Sequence, residues 1–239
     1  MEIGTRTKIY LCAGTVLRRT IQEPMNEYIA TLEKLYAAVV ADVLDALGRH
    51  NQTLSANISA LTPAGRVCGR VFTGRAVVVE EIPTDPYKLE MQAIDVMQAG
   101  DVFVLDADHH RQCAFWGELL STACMAKSVR GIVMSACTRD LWKLNKMDFP
   151  VFGIGCTPAD SKGRIDVAEI GEPITIDGVS TKNGDYLIGD EDGVVIIPQE
   201  IADETLKLAM QKVSGENVVR EELAAGVPVA EVFGKYGIL

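Results

Sequence analysis

Three residues separated by little more than twenty positions carry the donor types of hard-metal and oxo-acid binding: Glu118, Arg139 and Asp140. The carboxylates of Asp140 and Glu118 suit Mg²⁺ or Mn²⁺, taken directly or through water. Arg139 is permanently charged and offers a planar, two-pronged donor to a carboxylate or a carbonyl oxygen. Gly117 permits close backbone approach. A helix opening at Glu118 would turn the N–H groups of Glu118, Leu119 and Leu120 toward one anion with the helix dipole behind them. A 2-oxo acid beside a divalent metal is what such a set would hold. The same residue types also serve a plainer purpose, because an Arg-Asp pair or a glutamate in a first helical turn interacts favourably with helix ends. Taken alone, these residues leave both purposes open.

For the set to meet, two strand-to-helix connections must open on one crevice. The middle of the chain has the alternation that requires: a helix over about 86–98, a strand Asp101–Asp106, a helix from Gly117, a strand Gly131–Ser135, a helix from Thr138 and a strand Pro150–Ile154. This βαβαβ order predicts parallel strands whose carboxyl ends carry both connections. Upstream, Ile29, Leu32, Leu35, Val39, Val43, Leu44 and Leu47 keep helical spacing, so one long helix is expected from Met25 to about Leu47, closed by Gly48. Residues 66–80 are β-branched around Gly69 and Gly74, which predicts two strands or one interrupted strand. After Gly163 short strands separated by turn residues (164–170, 173–176, 185–188, 193–197) predict antiparallel structure. A last helix is expected over about 199–225, followed by a tail in which Val232, Phe233 and Tyr236 dock on a neighbour or on the core. Residues 1–33 read as an N-terminal extension to a single domain, 34–239.

Two further polar clusters fall near strand ends. Asp106, Asp108, His109, His110 and Arg111 follow the Asp101–Asp106 strand at the crevice edge, where they either line a pocket or form a solvated loop. Gly189-Asp-Glu-Asp-Gly193 reads as a tight turn with Asx-type hydrogen bonding rather than a calcium loop, being too short for one. Six cysteines form no Cys-x-x-Cys pair and three histidines complete no zinc spacing, so most of the thiols are expected as buried small hydrophobes in a reducing compartment. Cys137 stands two residues before Arg139. The excess of 33 acidic over 23 basic residues, a net charge of -10 without any basic run, argues against a nucleic-acid partner. Apolar stretches end well short of a membrane span, and a cytoplasmic protein is expected.

Taken together, the segment Trp116-Gly-Glu-Leu-Leu120, the Arg139-Asp140 pair, Gly189-Asp-Glu-Asp-Gly-Val-Val-Ile-Ile-Pro198 and the terminal Glu231-Val-Phe-Gly-Lys-Tyr-Gly-Ile-Leu239 resemble the RraA-like family. That family includes the 4-hydroxy-4-methyl-2-oxoglutarate/4-carboxy-4-hydroxy-2-oxoadipate aldolases, and the resemblance covers roughly residues 34–239. Its acidic residue, twenty intervening residues and then Arg-Asp are matched by Glu118 and Arg139-Asp140. The resemblance implies an α/β fold of the swivelling β/β/α type, with central βαβ crossovers, additional antiparallel strands and a C-terminal helix. It also implies homotrimers or hexamers and a divalent metal, Mg²⁺ or Mn²⁺, near a bound pyruvate. By position it makes Asp140 the metal-coordinating carboxylate, Glu118 its water-mediated partner and Arg139 the ligand of a substrate oxygen. The N–H groups of 118–120 become a carboxylate cradle, and Glu216 an acidic group that reaches a neighbouring subunit's site. Two stretches depart from the family pattern. Ser135-Ala-Cys-Thr138 replaces an Asp-Gly-containing approach to Arg-Asp, and Asp106-Ala-Asp-His-His110 replaces a glycine-rich loop, where His109 and His110 would narrow the pocket.

The chemistry implied is cleavage of a small 4-hydroxy-2-oxo acid to pyruvate through its enolate, with oxaloacetate decarboxylation from the same site and a water tuned by Glu118 or Glu216 as proton carrier. Schiff-base chemistry is disfavoured because Lys127, Lys143 and Lys146 do not sit at strand ends. A methyl-donor enzyme is disfavoured by the lack of a strand–Gly-x-Gly–helix signature. The rivals are a non-catalytic regulator, since the family resemblance also reaches proteins that inhibit an RNA-degrading endonuclease by contact, and a different metal-dependent lyase or hydratase acting on a hydroxy acid.

Overall fold

Val102 and Val104 point to one face of their strand, Phe103 and Leu105 to the other, and all four are fully buried. A strand covered on both faces is the hallmark of a sheet wrapped by helices on one side and by itself on the other. In the computed structural model, which describes residues 27–238, that is the arrangement found.

The elements run in chain order as α1 (27–32), α2 (Ala37–Ala46), β1 (Ser59–Ala60), β2 (Val67–Val78), α3 (Lys88–Val96), β3 (Asp101–Trp116), α4 (Glu118–Ala126), β4 (Gly131–Thr138) and α5 (Leu141–Leu144). They continue with β5 (Val151–Gly153), β6 (Gly155–Cys156), β7 (Ile165–Ile170), β8 (Ile174–Ile176), β9 (Val179–Thr181), β10 (Tyr186–Asp190), β11 (Gly193–Ile197), α6 (Ala202–Ala224) and α7 (Val229–Tyr236). The main sheet has the order β1-β5-β4-β3-β2-β10-β11, with β6 joined to β4 and β7 to β2. Strands β2 to β5 are parallel, as the βαβαβ reading predicts, while β10 and β7 pair antiparallel with β2. Ahead of β1, the Leu54 N–H donates to the Val194 carbonyl (2.9 Å) and Gln52 accepts from the Ile196 N–H (2.8 Å). β1 itself pairs with β5, so one stretch of chain touches both edges and the sheet is nearly closed.

Three apolar clusters follow. Val67, Val71, Val102, Val104, Val133, Phe152, Leu187, Val194 and Ile196 fill the inside of the sheet. Phe103, Leu105, Trp116, Ile132 and Met134 pack with Ala93, Ile94 and Cys124 of α3 and α4. Tyr186, Ile188, Val195 and Ile197 pack with residues of α1, α2 and α6.

Several local expectations are corrected. The helix expected over 25–47 breaks into α1 and α2. The intervening Leu35 carbonyl accepts from Arg66 Nη2 (2.5 Å), and the Ala37 N–H donates to Asp190 Oδ2 (2.7 Å), so contacts 31 and 153 residues away override a continuous helical period. Gly48, at φ +76°, does end α2: the Arg49 N–H donates to the Leu44 carbonyl and the Gly48 N–H to that of Asp45. Residues 67–78 form one strand with a register shift between Arg75 and Ala76. β3 extends ten residues beyond Asp106, absorbing the polar cluster through register shifts and positive φ at Asp108 and His109. The helix expected from Thr138 is the single turn α5. β9, absent from the expectation, forms a separate hairpin with β8.

Of the expected extension, Ile29 and Leu32 are buried in the core, and residues 1–26 lie outside the described chain. The tail docks on its own chain: Val232 is fully buried, and the Tyr236 hydroxyl donates to Glu222 on α6 (2.8 Å). Among the described residues no helix is long and apolar enough to cross a membrane.

Candidate active site

The ends of β3 and β4 are locked together by one carbonyl. Trp116 O accepts from the Arg139 N–H (2.9 Å) and from the Thr138 hydroxyl (3.1 Å), while the Trp116 indole donates to Ser121 Oγ (2.8 Å) in the first turns of α4. This fixes the start of α4 against the start of α5. At the junction Asp140 adopts a left-handed backbone, φ 62° and ψ 28°, a conformation that is uncommon for a non-glycine residue and clusters at functional sites. Its Oδ2 accepts from the Glu118 N–H at 3.3 Å. A Cβ on Gly117 would come within 2.7 Å of the same oxygen, so any larger residue at 117 would push the Asp140 carboxylate aside.

A cleft of about 280 Å³ opens over this junction. Phe115, Trp116, Leu119, Leu120 and Met91 give it apolar walls, and Tyr87, Glu90, Arg139, Asp140 and Asp160 supply its polar groups. Arg139 lies between two carboxylates, Nη1 at 3.2 Å from Asp160 Oδ1 and Nε at 4.0 Å from Asp140 Oδ2. Asp160 is brought in by a hydrogen bond from the Ala114 N–H to the Ala159 carbonyl (2.8 Å), and its other oxygen accepts from the Tyr87 hydroxyl (2.7 Å). Burial and that hydrogen bond push the Tyr87 phenol up to about 12, which keeps it a proton-bearing donor. Glu90 is 4% exposed. Burial, with Asp166 and Asp160 nearby, pushes its carboxyl up to about 8, against the pull of Arg139.

Gly117, Leu119, Leu120, Arg139 and Asp140 therefore meet in one cleft. Glu118 joins through its N–H, while its carboxylate turns to Lys143 (3.0 Å) and Thr122 (3.3 Å) on α5 and α4. The other expected site residues are placed elsewhere. Asp106 accepts from the Ser135 hydroxyl (2.8 Å), His109 pairs with Asp177 (3.0 Å), and Arg111 donates to the Ile154 carbonyl (2.7 Å). None of Asp106, His109 and His110 lines the cleft, because the bulged continuation of β3 carries them away from its end, and so they do not narrow the pocket. Glu216 sits on α6, bonded to the Tyr36 hydroxyl, outside the cleft of its own chain. Cys137 is packed inside the sheet, with its thiol pushed up by burial.

Three polar groups of the cleft went unread in the sequence: Tyr87, Glu90 and Asp160. For Glu90 a signal existed. It shares the helical face of Ala93, Ile94 and Met97, at i, i+3, i+4 and i+7, and all three are buried; a carboxylate in an apolar stripe is seldom there for packing. Asp160 reaches the cleft through a backbone pairing with β3 that no local pattern announces.

Among the described residues no group of three His, Cys, Asp or Glu side chains is placed to chelate an ion. Asp140 is a half-exposed carboxylate of the cleft, an oxygen donor of the kind hard divalent ions take singly or in pairs together with water and ligand oxygens.

The family described as "RraA-like: Aldolase/RraA" matches residues 37–196. DlpA of Legionella pneumophila is 26% identical over 208 residues, 85% of this chain but 33% of DlpA, so the chain spans about a third of that relative. A protein of Halalkalibacterium halodurans provisionally named 4-hydroxy-4-methyl-2-oxoglutarate aldolase is 26% identical over 186 residues, covering 78% of this chain and 83% of that protein. Among solved structures, an uncharacterized protein of Pseudomonas syringae pv. tomato superposes with a TM-score of 0.79 at 24% identity, over 88% of this chain and 94% of that one, a likeness of fold alone. Streptomyces coelicolor RraAS2, described as an unusual member of the RNase ES inhibitor RraA family, superposes with a TM-score of 0.74 at 25% identity, over 82% and 98%.

Proposed function

The chain belongs to the RraA-like family, and on that premise we propose that it is a divalent-metal-dependent carbon–carbon lyase that cleaves a small 4-hydroxy-2-oxo acid to pyruvate and decarboxylates oxaloacetate from the same site. The observation that carries the reading is the junction of Gly117, Arg139 and Asp140. A strained aspartate whose carboxylate lies against the backbone at the start of α4, beside a fixed guanidinium, has little use in packing and a direct use in holding an oxo acid. Relatives provisionally named as aldolases at 26 to 29% identity support it.

Asp140 would hold Mg²⁺ or Mn²⁺, which when bound supplies Lewis acidity at the substrate's 2-oxo group. Arg139 enters the cleft already oriented by Asp160 and offers its donors to the carboxylate and carbonyl oxygens, so its positive charge faces the oxygen on which enolate charge develops. The N–H groups of Leu119 and Leu120 at the start of α4 remain for the carboxylate, that of Glu118 being turned to Asp140. Phe115, Trp116 and Leu120 exclude water from the floor, which strengthens each of these interactions. Lys143 pairs with the Glu118 carboxylate at 3.0 Å, which offsets its charge and holds it out of the cleft. The cytoplasm is the proposed location, and a homotrimer or hexamer the proposed assembly.

The test is pyruvate release from oxaloacetate and from 4-hydroxy-4-methyl-2-oxoglutarate, with and without Mg²⁺ or Mn²⁺, for wild type, Asp140→Ala and Arg139→Ala. Metal-dependent release lost in both variants is the expected result. A folded wild type inactive on both substrates would favour the non-catalytic reading, for which the likeness to RraAS2 is the supporting observation, or a lyase for a different hydroxy acid.

A further inference from the structure

Retro-aldol cleavage and decarboxylation both leave pyruvate as an enolate, and neither turns over until a proton reaches its C3. The groups proposed to bind the oxo acid are otherwise engaged: the Arg139 guanidinium faces Asp160 at 3.2 Å, and Asp140 Oδ2 accepts from the Glu118 N–H. Glu118 faces Lys143, and Glu216 faces Tyr36, away from the cleft.

Glu90 differs from all of these. It stands on the inner face of α3, 4% exposed, and lines the same cleft as Arg139 and Asp140, together with Tyr87 and Asp160. Among the described residues its carboxyl has neither an ion-pair partner nor a hydrogen bond. Yet its oxygens are not sealed off: among the described residues, the fully buried side-chain atoms without a partner belong to His110 and Thr205. An unpaired carboxyl that is enclosed by protein and open only to a substrate cleft is poorly suited to a structural role.

Resting on the lyase reading above, we propose that Glu90 is the proton donor of the cleft, delivering its carboxyl proton to C3 of the pyruvate enolate. In that step a C3–H bond forms from the enolate's π pair, the 2-oxo C=O is restored, and Glu90 is left as a carboxylate. It is reprotonated by the equivalent released from the substrate hydroxyl into the cleft water, or from solvent after decarboxylation, so no further reactant is needed.

The electrostatics agree. The charged groups facing Glu90 are Asp166 on β7, Asp160 and Arg139, with the Tyr87 phenol at the start of its own helix. Lys127, just past α4, is taken up by the carbonyls of Ile94 and Asp95 at the far end of α3. Two carboxylates and burial outweigh one guanidinium, and the carboxyl is held protonated up to about pH 8, where a general acid operating near neutrality is most effective.

The deciding experiment is exchange of the pyruvate methyl protons into D₂O, followed by ¹H NMR with Mg²⁺ present, alongside oxaloacetate turnover, for wild type, Glu90→Gln and Glu90→Asp. Glu90→Gln should lose about 100-fold or more of the exchange rate, because the same group must take the methyl proton and return a deuteron, while oxaloacetate still loses CO₂ to form the enolate; Glu90→Asp should recover part of the exchange. The wild-type exchange rate should rise with pH and level off above about pH 8, because taking a methyl proton needs the Glu90 carboxylate, a dependence missing from the residual rate of Glu90→Gln. Folded Glu90→Gln protein exchanging at the wild-type rate with the same pH dependence would overturn the assignment and leave the lyase reading intact. A wild type that neither exchanges pyruvate nor decarboxylates oxaloacetate would overturn both.

Discussion

Replacing Glu90 by glutamine removes an ionisation and almost nothing else, since the neutral acid and the amide have nearly the same shape. In the folded protein the carboxyl titrates near 8 instead of at the ordinary value of 4.5. A raised folded value means the native state holds a proton that the unfolded chain has released, so stability is greatest below 4.5 and declines as pH rises through 8. The full interval, at 1.36 kcal/mol per pH unit, amounts to about 5 kcal/mol, of which the part between pH 6 and pH 8 is about 3 kcal/mol. Glu90→Gln lacks this decline. Normalised at pH 6, the variant should therefore be more stable than wild type at pH 9.5 by up to about 3 kcal/mol, or roughly 6–12 °C in melting temperature for a domain of this size. Urea unfolding at pH 6 and pH 9.5, without added metal, measures it. Parallel pH dependences for the two proteins would refute the reasoning, because a carboxyl that costs nothing to ionise is not enclosed as the structure has it.

Three further outcomes are expected. Gly117→Ala should leave the fold intact, since φ is −164° there, but its Cβ would meet Asp140 Oδ2 at 2.7 Å; metal-dependent pyruvate release should drop at least about tenfold with an unchanged melting temperature. Asp190→Ala removes the acceptor of both the Ala37 N–H (2.7 Å) and the Asp192 N–H (3.0 Å) and should cost about 2 kcal/mol in chemical denaturation. With iodoacetamide at pH 8, peptide mass spectrometry should find exposed Cys156 alkylated well ahead of buried Cys68, Cys113, Cys124 and Cys137, whose thiols burial pushes up, that of Cys124 to about 12.

The parallel centre was legible because strands such as Asp101-Val-Phe-Val-Leu105 are apolar on both faces, and the antiparallel remainder because its strands are short and separated by Gly and Asp turns. Gly117, Arg139 and Asp140 were legible for a related reason: each follows the end of a strand, and neighbouring parallel strands must end side by side. What failed to show in the sequence depends on contacts made at a distance. The break between α1 and α2 is imposed by Arg66 and Asp190, on a stretch whose own period continues unbroken. The polar residues 106–111 read as a loop because their composition is that of a loop, whereas Asp108 and His109 take up positive φ and let β3 run on to Trp116. Asp160 enters the cleft by pairing with Ala114, a register that only the folded sheet defines.

The bond from Ala37 to Asp190 also sets an order on synthesis. The start of α2 leaves the ribosome 153 residues before its acceptor, an interval of roughly 8–30 s at ordinary elongation rates. β10, which carries Asp190, is also the antiparallel neighbour of β2, so the nascent chain holds both a helix start and a strand edge in waiting until the hairpin β10–β11 emerges. The last quarter of the polypeptide thus acts as the clasp of the whole domain.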